Sequence, residues 1–146
     1  MRDKKIKMKK IITIVILLLT IAACTKDEEI IELTYFELLT AKEWDAISTI
    51  TYNEENEEID SELYTKITFL FLKNNDVIIY NNAVPENMLK WQLINNDTAI
   101  KLIPYENEPE KIWEIETLTT TDFIISKKST PTAVLQTKEV ATFRRN

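Results

Sequence analysis

The chain of 146 residues contains no glycine, no histidine and a single cysteine. Each shortage removes a class of chemistry. Without an imidazole there is no Ser–His–Asp hydrolysis and no histidine-bound metal. Without glycine, the glycine-rich loops that cradle phosphates cannot be built. A lone cysteine forms no internal disulfide. Carboxylates, lysines, serines and tyrosines are what remain for catalysis, and the expectation is a protein that is not an enzyme and holds no cofactor. The missing glycines also bear on the backbone. Tight turns need residues that tolerate positive φ, and asparagine and aspartate are next best. Asn74-Asn75-Asp76, Asn81-Asn82 and Asn95-Asn96-Asp97 stand where glycine would be expected.

Positive charge is scarce beyond the first residues. Of 18 basic and 24 acidic side chains, residues 1–23 hold six and one, which leaves 12 and 23 on the remaining 123 residues, a net charge of −11. Such a surface repels phosphate backbones, which disfavours nucleic acid as a partner, and it does not dock electrostatically on anionic lipid. A stretch of 123 residues fits one domain and buries a sizeable core.

What is present begins with an address. Arg2, Lys4, Lys5, Lys7, Lys9 and Lys10 precede an apolar run over residues 11–23. A basic start, a short apolar segment and small residues at its end form a secretory signal. The run has 13 residues, against roughly 20 for a spanning helix. It closes on Ile21-Ala22-Ala23-Cys24, which resembles the lipobox of bacterial lipoproteins. That resemblance implies cleavage before Cys24 and acyl chains such as palmitate on its thiol. Each buried methylene contributes about 0.8 kcal/mol, so two or three chains anchor the protein permanently in a membrane. Thr25-Lys26-Asp27-Glu28-Glu29 resembles the surface-export signal of Bacteroidota lipoproteins, which implies the outer membrane and the cell surface. The expected organisation is a signal peptide at 1–23, an acidic tether at 24–32 and one domain at 33–146.

Within that domain, Thr34 and Glu37 have the spacing of a capping box and predict a short helix over 33–40. From Lys42 the pattern turns to period two. Trp44–Tyr52 reads as a strand, 53–61 as a polar loop, Tyr64–Lys73 and Val77–Asn81 as a hairpin, and 82–87 as a loop containing Pro85. Met88–Ile94 and Thr98–Ile103 form the next hairpin, Lys111–Thr117 and Phe123–Lys128 a third, and Thr132–Phe143, with Leu135 and Phe143 on one face, a last strand. About eight short strands joined by turns predict an all-β fold, a small antiparallel up-and-down barrel or a sandwich.

Leu38-Leu39-Thr40-Ala41-Lys42-Glu43-Trp44, Ile67-Thr68-Phe69-Leu70-Phe71, Trp91-Gln92-Leu93, Asn96-Asp97-Thr98 and Ile112–Thr119 together resemble the lipocalin-like small lipoproteins of Bacteroidota. The resemblance spans residues 33–143. It implies a lipocalin-like barrel whose short helix leads into a first strand with Trp44 near the barrel floor, and it assigns no activity.

Several side-chain groups invite a function. The acids of 54–60 have the oxygens that calcium takes but match no calcium loop, and Glu106, Glu108 and Glu110 form a second acidic loop; the expected metal set is therefore none. Glu114 and Glu116 are either an acid–base pair in a pocket or, as such acids more often are, outward-facing. Trp44, Phe69, Trp91 and Trp113 are the candidate ligand-binding residues. An eight-stranded barrel is just wide enough to be filled by side chains or to hold one small ligand, and short strands favour the packed interior. The expected function is a membrane-anchored, non-catalytic lipoprotein that binds a small apolar ligand or an envelope protein. The rival is an accessory subunit of an outer-membrane complex with a filled barrel.

Overall fold

The computed structural model describes residues 32–105, 108–129 and 136–145. The signal peptide, Cys24, Leu135 and Glu106 lie outside them. Helix α1 spans Tyr35–Thr40, and the expected capping box opens it: the Thr34 hydroxyl accepts from the Glu37 N–H at 3.2 Å, and the Glu37 carboxylate accepts from the Thr34 N–H at 2.8 Å. Six residues cannot hold a helix unaided. Burial of Leu38 and Leu39 supplies the rest.

Among the described residues nine strands follow, all paired antiparallel: β1 Trp44–Tyr52, β2 Glu58–Leu63, β3 Ile67–Phe71, β4 Asp76–Asn81, β5 Val84–Ile94, β6 Ala99–Pro104, β7 Lys111–Leu118, β8 Asp122–Lys128 and β9 Lys138–Arg144. β1 and β3 to β9 form a meander that closes on itself, because β1 also pairs with β9 from Asp45↔Arg144 to Tyr52↔Lys138. The expected barrel is therefore present, with eight strands in the ring and one extra. Closure removes the open edges that a flat sheet of this size would carry.

The extra strand, β2, is where the expectation fails. Residues 53–61 read as a polar loop, yet only Asn53–Glu57 turn; Glu58–Leu63 pair with the upper half of β1, and β3 takes over beside Trp44 and Asp45. All six residues of β2 are exposed. A strand with no buried face has no alternation to betray it. The chain breaks between β2 and β3 at Lys66, whose φ is 64°.

Asparagine and aspartate do occupy left-handed turn positions, at Asn56, Asn75, Asn82, Asn95, Asn96 and Asp97. Ala83 does so too, at φ 63°. The expected 82–87 loop contracts to the pair Asn82–Ala83, with Asn81 opposite Val84. β5 therefore starts early and carries Pro85 at a register shift beside Tyr80, where a missing N–H is tolerated. A side chain with a Cβ costs about 1–2 kcal/mol in the left-handed region. Glycine returns part of that through its freer unfolded state. Ala83→Gly is expected to stabilise the barrel by about 0.5–1 kcal/mol, read as a melting temperature higher by about 2–5 °C. An unchanged or lower value would contradict the strain at this turn.

Aromatic side chains fill the end of the barrel that α1 covers. Trp44, Trp91 and Phe123 are fully buried, and Phe71 meets Trp91 and Phe123 edge-on with centroids 5.4 and 6.0 Å apart. Leu39, Val77 and Ile100 close the remaining gaps.

Outside the barrel, four carboxylates are held below their ordinary range by donors: Glu37 by the Thr34 N–H, Asp76 by Lys90 and then Tyr105, Glu116 by the Ser126 hydroxyl and then Lys138, and Asp122 by Thr121. A group with a depressed folded pKa adds stability above its unfolded pKa and loses that contribution as pH falls through the folded value. The melting temperature should therefore begin to fall near pH ~4, the unfolded carboxylate value, and continue falling below it. No side chain with an ordinary pKa titrates between about pH 5 and 8 in a chain without histidine, so it should stay flat there. A transition centred in that window would contradict this account.

Candidate functional site

The barrel is packed at one end only. Beyond the aromatic floor, its interior opens into a cavity of about 350 Å³. The cause is side-chain size along one wall. β1 and β9 contribute Ala46, Ser48, Thr49 and Ala141, which are too short to meet the opposite side. That wall faces Leu89 from β5, Leu102 from β6 and Trp113 from β7, while Phe69 and Phe143 form the bottom beside the packed floor. Phe69 meets Phe143 edge-on at 5.0 Å, and Phe143 stacks on Phe123 at 5.2 Å. One continuous aromatic column thus joins the floor to the cavity.

Polar groups gather at the mouth. Asn87, Glu108, Lys111 and Glu139 line it. Glu139 pairs with Lys127 at 2.7 Å, and the Lys127 ammonium lies 4.5 Å from the centre of the Trp113 ring. Tyr64 donates its hydroxyl to Glu62 at 2.9 Å. Burial, above all, raises its pKa, and the nearby carboxylates of Glu62 and Glu139 push the same way.

The four candidate ligand residues separate into two pairs. Phe69 and Trp113 line the cavity. Trp44 and Trp91 do not; both are spent in the floor. Trp44 donates its indole N–H to the Leu39 carbonyl at 3.2 Å and lies beneath the Arg145 guanidinium, 3.8 Å away. Trp91 donates to the carbonyls of Leu72 and Asp76 at 3.2 and 3.1 Å and stacks on Phe36 of the helix. The expectation of a packed interior holds for the helix half alone. Sequence reasoning passed over Lys127 and Glu139, although the signal was there. They stand two residues from Ile125 and Ala141 and so share the inward face of a period-two strand.

The acids take ordinary places. Glu114 is exposed, and Glu116 accepts from Ser126 at 2.6 Å and pairs with Lys138 at 2.9 Å; neither lines the cavity. Glu57 bonds to Asn53 across its turn, and Glu110 pairs with Lys101. Among the described residues, no group of three or more acids, cysteines or histidines could hold a metal ion, and no helix is long and apolar enough to cross a membrane.

What the arrangement can do follows from its chemistry. An apolar chamber open at one end removes a small apolar molecule from water, at about 25 cal/mol per Å² of surface buried. The few polar groups at its rim can orient what enters. The sequence matches no protein-family model and no curated protein, so the barrel and the side chains of its cavity are the basis on which a function can be assigned.

Proposed function

We propose that the chain is a lipid-anchored, non-catalytic envelope protein whose barrel carries a small, largely apolar ligand in its open half. The observation that carries the reading is the cavity of about 350 Å³, which falls within the size range of small-molecule sites and is walled mostly by carbon. Support for the anchor comes from the lipobox-like Ile21-Ala22-Ala23-Cys24, support for the outer membrane and cell surface from the export-signal-like Thr25-Lys26-Asp27-Glu28-Glu29, and the likeness to lipocalin-like lipoproteins agrees with such a carrier. The rival, an accessory subunit with a filled barrel, draws no support from an interior that is half empty.

Two measurements test the two halves of this reading. For the anchor, the full chain is expressed in a bacterial host beside Cys24→Ala and partitioned between detergent and water. The wild type should enter the detergent phase with an acyl-sized mass increment, and the variant should remain aqueous with its signal segment uncleaved. A wild type that stays aqueous with an intact start refutes the anchor. For the cavity, the neutral fluorophore N-phenyl-1-naphthylamine should brighten on binding the wild type. Ala141→Phe, which places a ring in the void, should abolish that response. Unchanged fluorescence in the variant would show that the probe sits elsewhere.

A further inference from the structure

One strand of the sheet has a free edge. Among the described residues, β2 pairs with β1 and with no other strand. The cause is where its neighbours end. β3, which continues along the same edge of β1 beyond the break at Lys66, pairs with β4 only as far as Ile67↔Asn81. There β4 turns back, and the Asn82 N–H donates to the Lys66 carbonyl at 2.9 Å. β2 thus extends past the turn with nothing paired on its outer side, and half of its main-chain groups lack a ladder partner. Which half follows from the register. Tyr64 donates its N–H to the carbonyl of Ile47, the next pair after Ser48↔Leu63, and hydrogen-bonded pairs alternate along an antiparallel ladder. Glu62 and Asp60 therefore bond to β1, while Ser61 and Leu63 direct their N–H and C=O groups to the open side.

The side chains narrow what can cover that edge. Sheet edges are commonly blunted by lysine, by proline or by a covering segment. Residues 53–65 contain no lysine, arginine or proline and carry six carboxylates. All of β2 is exposed, Ile59 at 54% and Leu63 at 79%. Glu58, Asp60 and Glu62 form no ion pair among the described residues. Period two sorts the strand into faces: Glu62, bonded to the cavity-lining Tyr64, shares one face with Asp60, and Ser61 shares the other with Leu63. A second copy laid edge to edge would set acids against acids, which is destabilising. An extended chain with lysine or arginine at every second position meets opposite charge beside Asp60 and Glu62, and its intervening apolar side chains lie beside Leu63.

We propose that the free edge of β2 docks a basic, extended segment of another protein, which adds a strand to the sheet. Main-chain hydrogen bonds to Ser61 and Leu63 hold the segment, and the acids of β2 select it over neutral or acidic chains. Docking here is independent of what the cavity holds. Because the selecting charges are exposed, it weakens as salt rises.

The test uses the full chain and three short capped peptides: valine alternating with lysine, valine alternating with glutamate, and the lysine peptide with proline at its central valine. In calorimetric titrations the lysine peptide should bind about tenfold more tightly than either control. Ser61→Pro removes an N–H that β1 does not use, so the melting temperature should hold while affinity for the lysine peptide falls about tenfold. Asp60→Lys should move the preference toward the glutamate peptide. In hydrogen exchange on the wild type, the lysine peptide should slow the Ser61 and Leu63 amides; this readout decides the matter even where Ser61→Pro fails to fold. Equal binding of the proline peptide means charge adhesion without an added strand and overturns the proposal. A folded Ser61→Pro that binds normally overturns it, as do Ser61 and Leu63 amides that the peptide leaves unchanged. Exchange that is already slow without peptide, and quickens on dilution, makes a second copy the occupant and overturns it too. So does an absence of binding by the lysine peptide at about 1 mM.

Discussion

Trp44→Ala is expected to destabilise the barrel by about 3–5 kcal/mol, as truncation of large buried aromatics does. Trp44 has no exposed surface. Its ring is tilted against Phe123 with centroids 5.4 Å apart, its N–H ties the first strand to the end of α1 through Leu39, and Arg145 covers its other face. Truncation leaves a cavity in a floor that nothing can collapse to fill, because Phe71, Phe123 and Trp91 are already locked against one another. It also leaves the Leu39 carbonyl without its donor and Arg145 without its platform. In a domain with roughly 5–15 kcal/mol in total, that brings unfolding near room temperature within reach. Thermal melts of wild type and variant settle it. A drop of less than about 2 °C would refute a structural role, since each kcal/mol moves a domain of this size by several degrees. Trp44→Phe, which keeps most of the ring volume, should lose much less.

The second large effect is expected from Arg145, the residue directly beyond β9. Its guanidinium lies over Trp44 and donates to the carbonyls of Leu38, at the end of α1, and of Thr120, in the turn between β7 and β8. One side chain thus joins the helix, the first strand and a turn at the closed end. Burial lowers its pKa, and its Nε has no partner among the described residues, so part of the gain is offset by desolvation. Cation–π contact at a desolvated site contributes about 2 kcal/mol, and a hydrogen bond from a charged donor about 1.5–3 kcal/mol. With the desolvation set against these, Arg145→Ala should cost about 2–3 kcal/mol. Arg145→Lys should recover only part of it, since an ammonium lacks the planar fork that stacks and donates in two directions. Because Arg145 and Trp44 touch, their losses will not add: the double variant should be less unstable than the sum of the singles by about 0.5–3 kcal/mol. Strict additivity would show that the stacking carries no energy.

Both residues serve the cavity indirectly. A rigid floor lets the opposite half of the barrel remain hollow without collapsing, because the aromatic column from Trp44 through Phe123 and Phe143 to Phe69 holds the strands apart where the short side chains of β1 and β9 cannot.

Much of this architecture was legible in the residues. Thr34 and Glu37 announced the helix start, because a cap is a local hydrogen-bond pattern that needs no tertiary partner. The alternation of Trp44, Ile67, Phe69, Trp91, Trp113 and Phe123 with polar neighbours marked strands, because a half-buried strand repeats every second residue. Asparagine-rich turns marked the hairpins in a chain without glycine, since few other side chains tolerate positive φ. The absences of histidine and glycine fixed which chemistries could not occur whatever the fold.

Tertiary structure decided the rest. Which tryptophans fill the floor and which faces the void depends on where each strand sits along the barrel axis, and that is set by register and shear across the whole ring. Trp44, Trp91 and Trp113 look alike in sequence; only closure of β9 onto β1 places the first two under α1 and the third across the cavity from Ala141. β2 stayed invisible because its backbone pairs without burying either face, so no hydrophobic period was written into it. The hollow itself is a property of no residue. It arises because small side chains on two strands that are distant in sequence, β1 and β9, become neighbours when the barrel closes, and a void forms only where both are short at the same height.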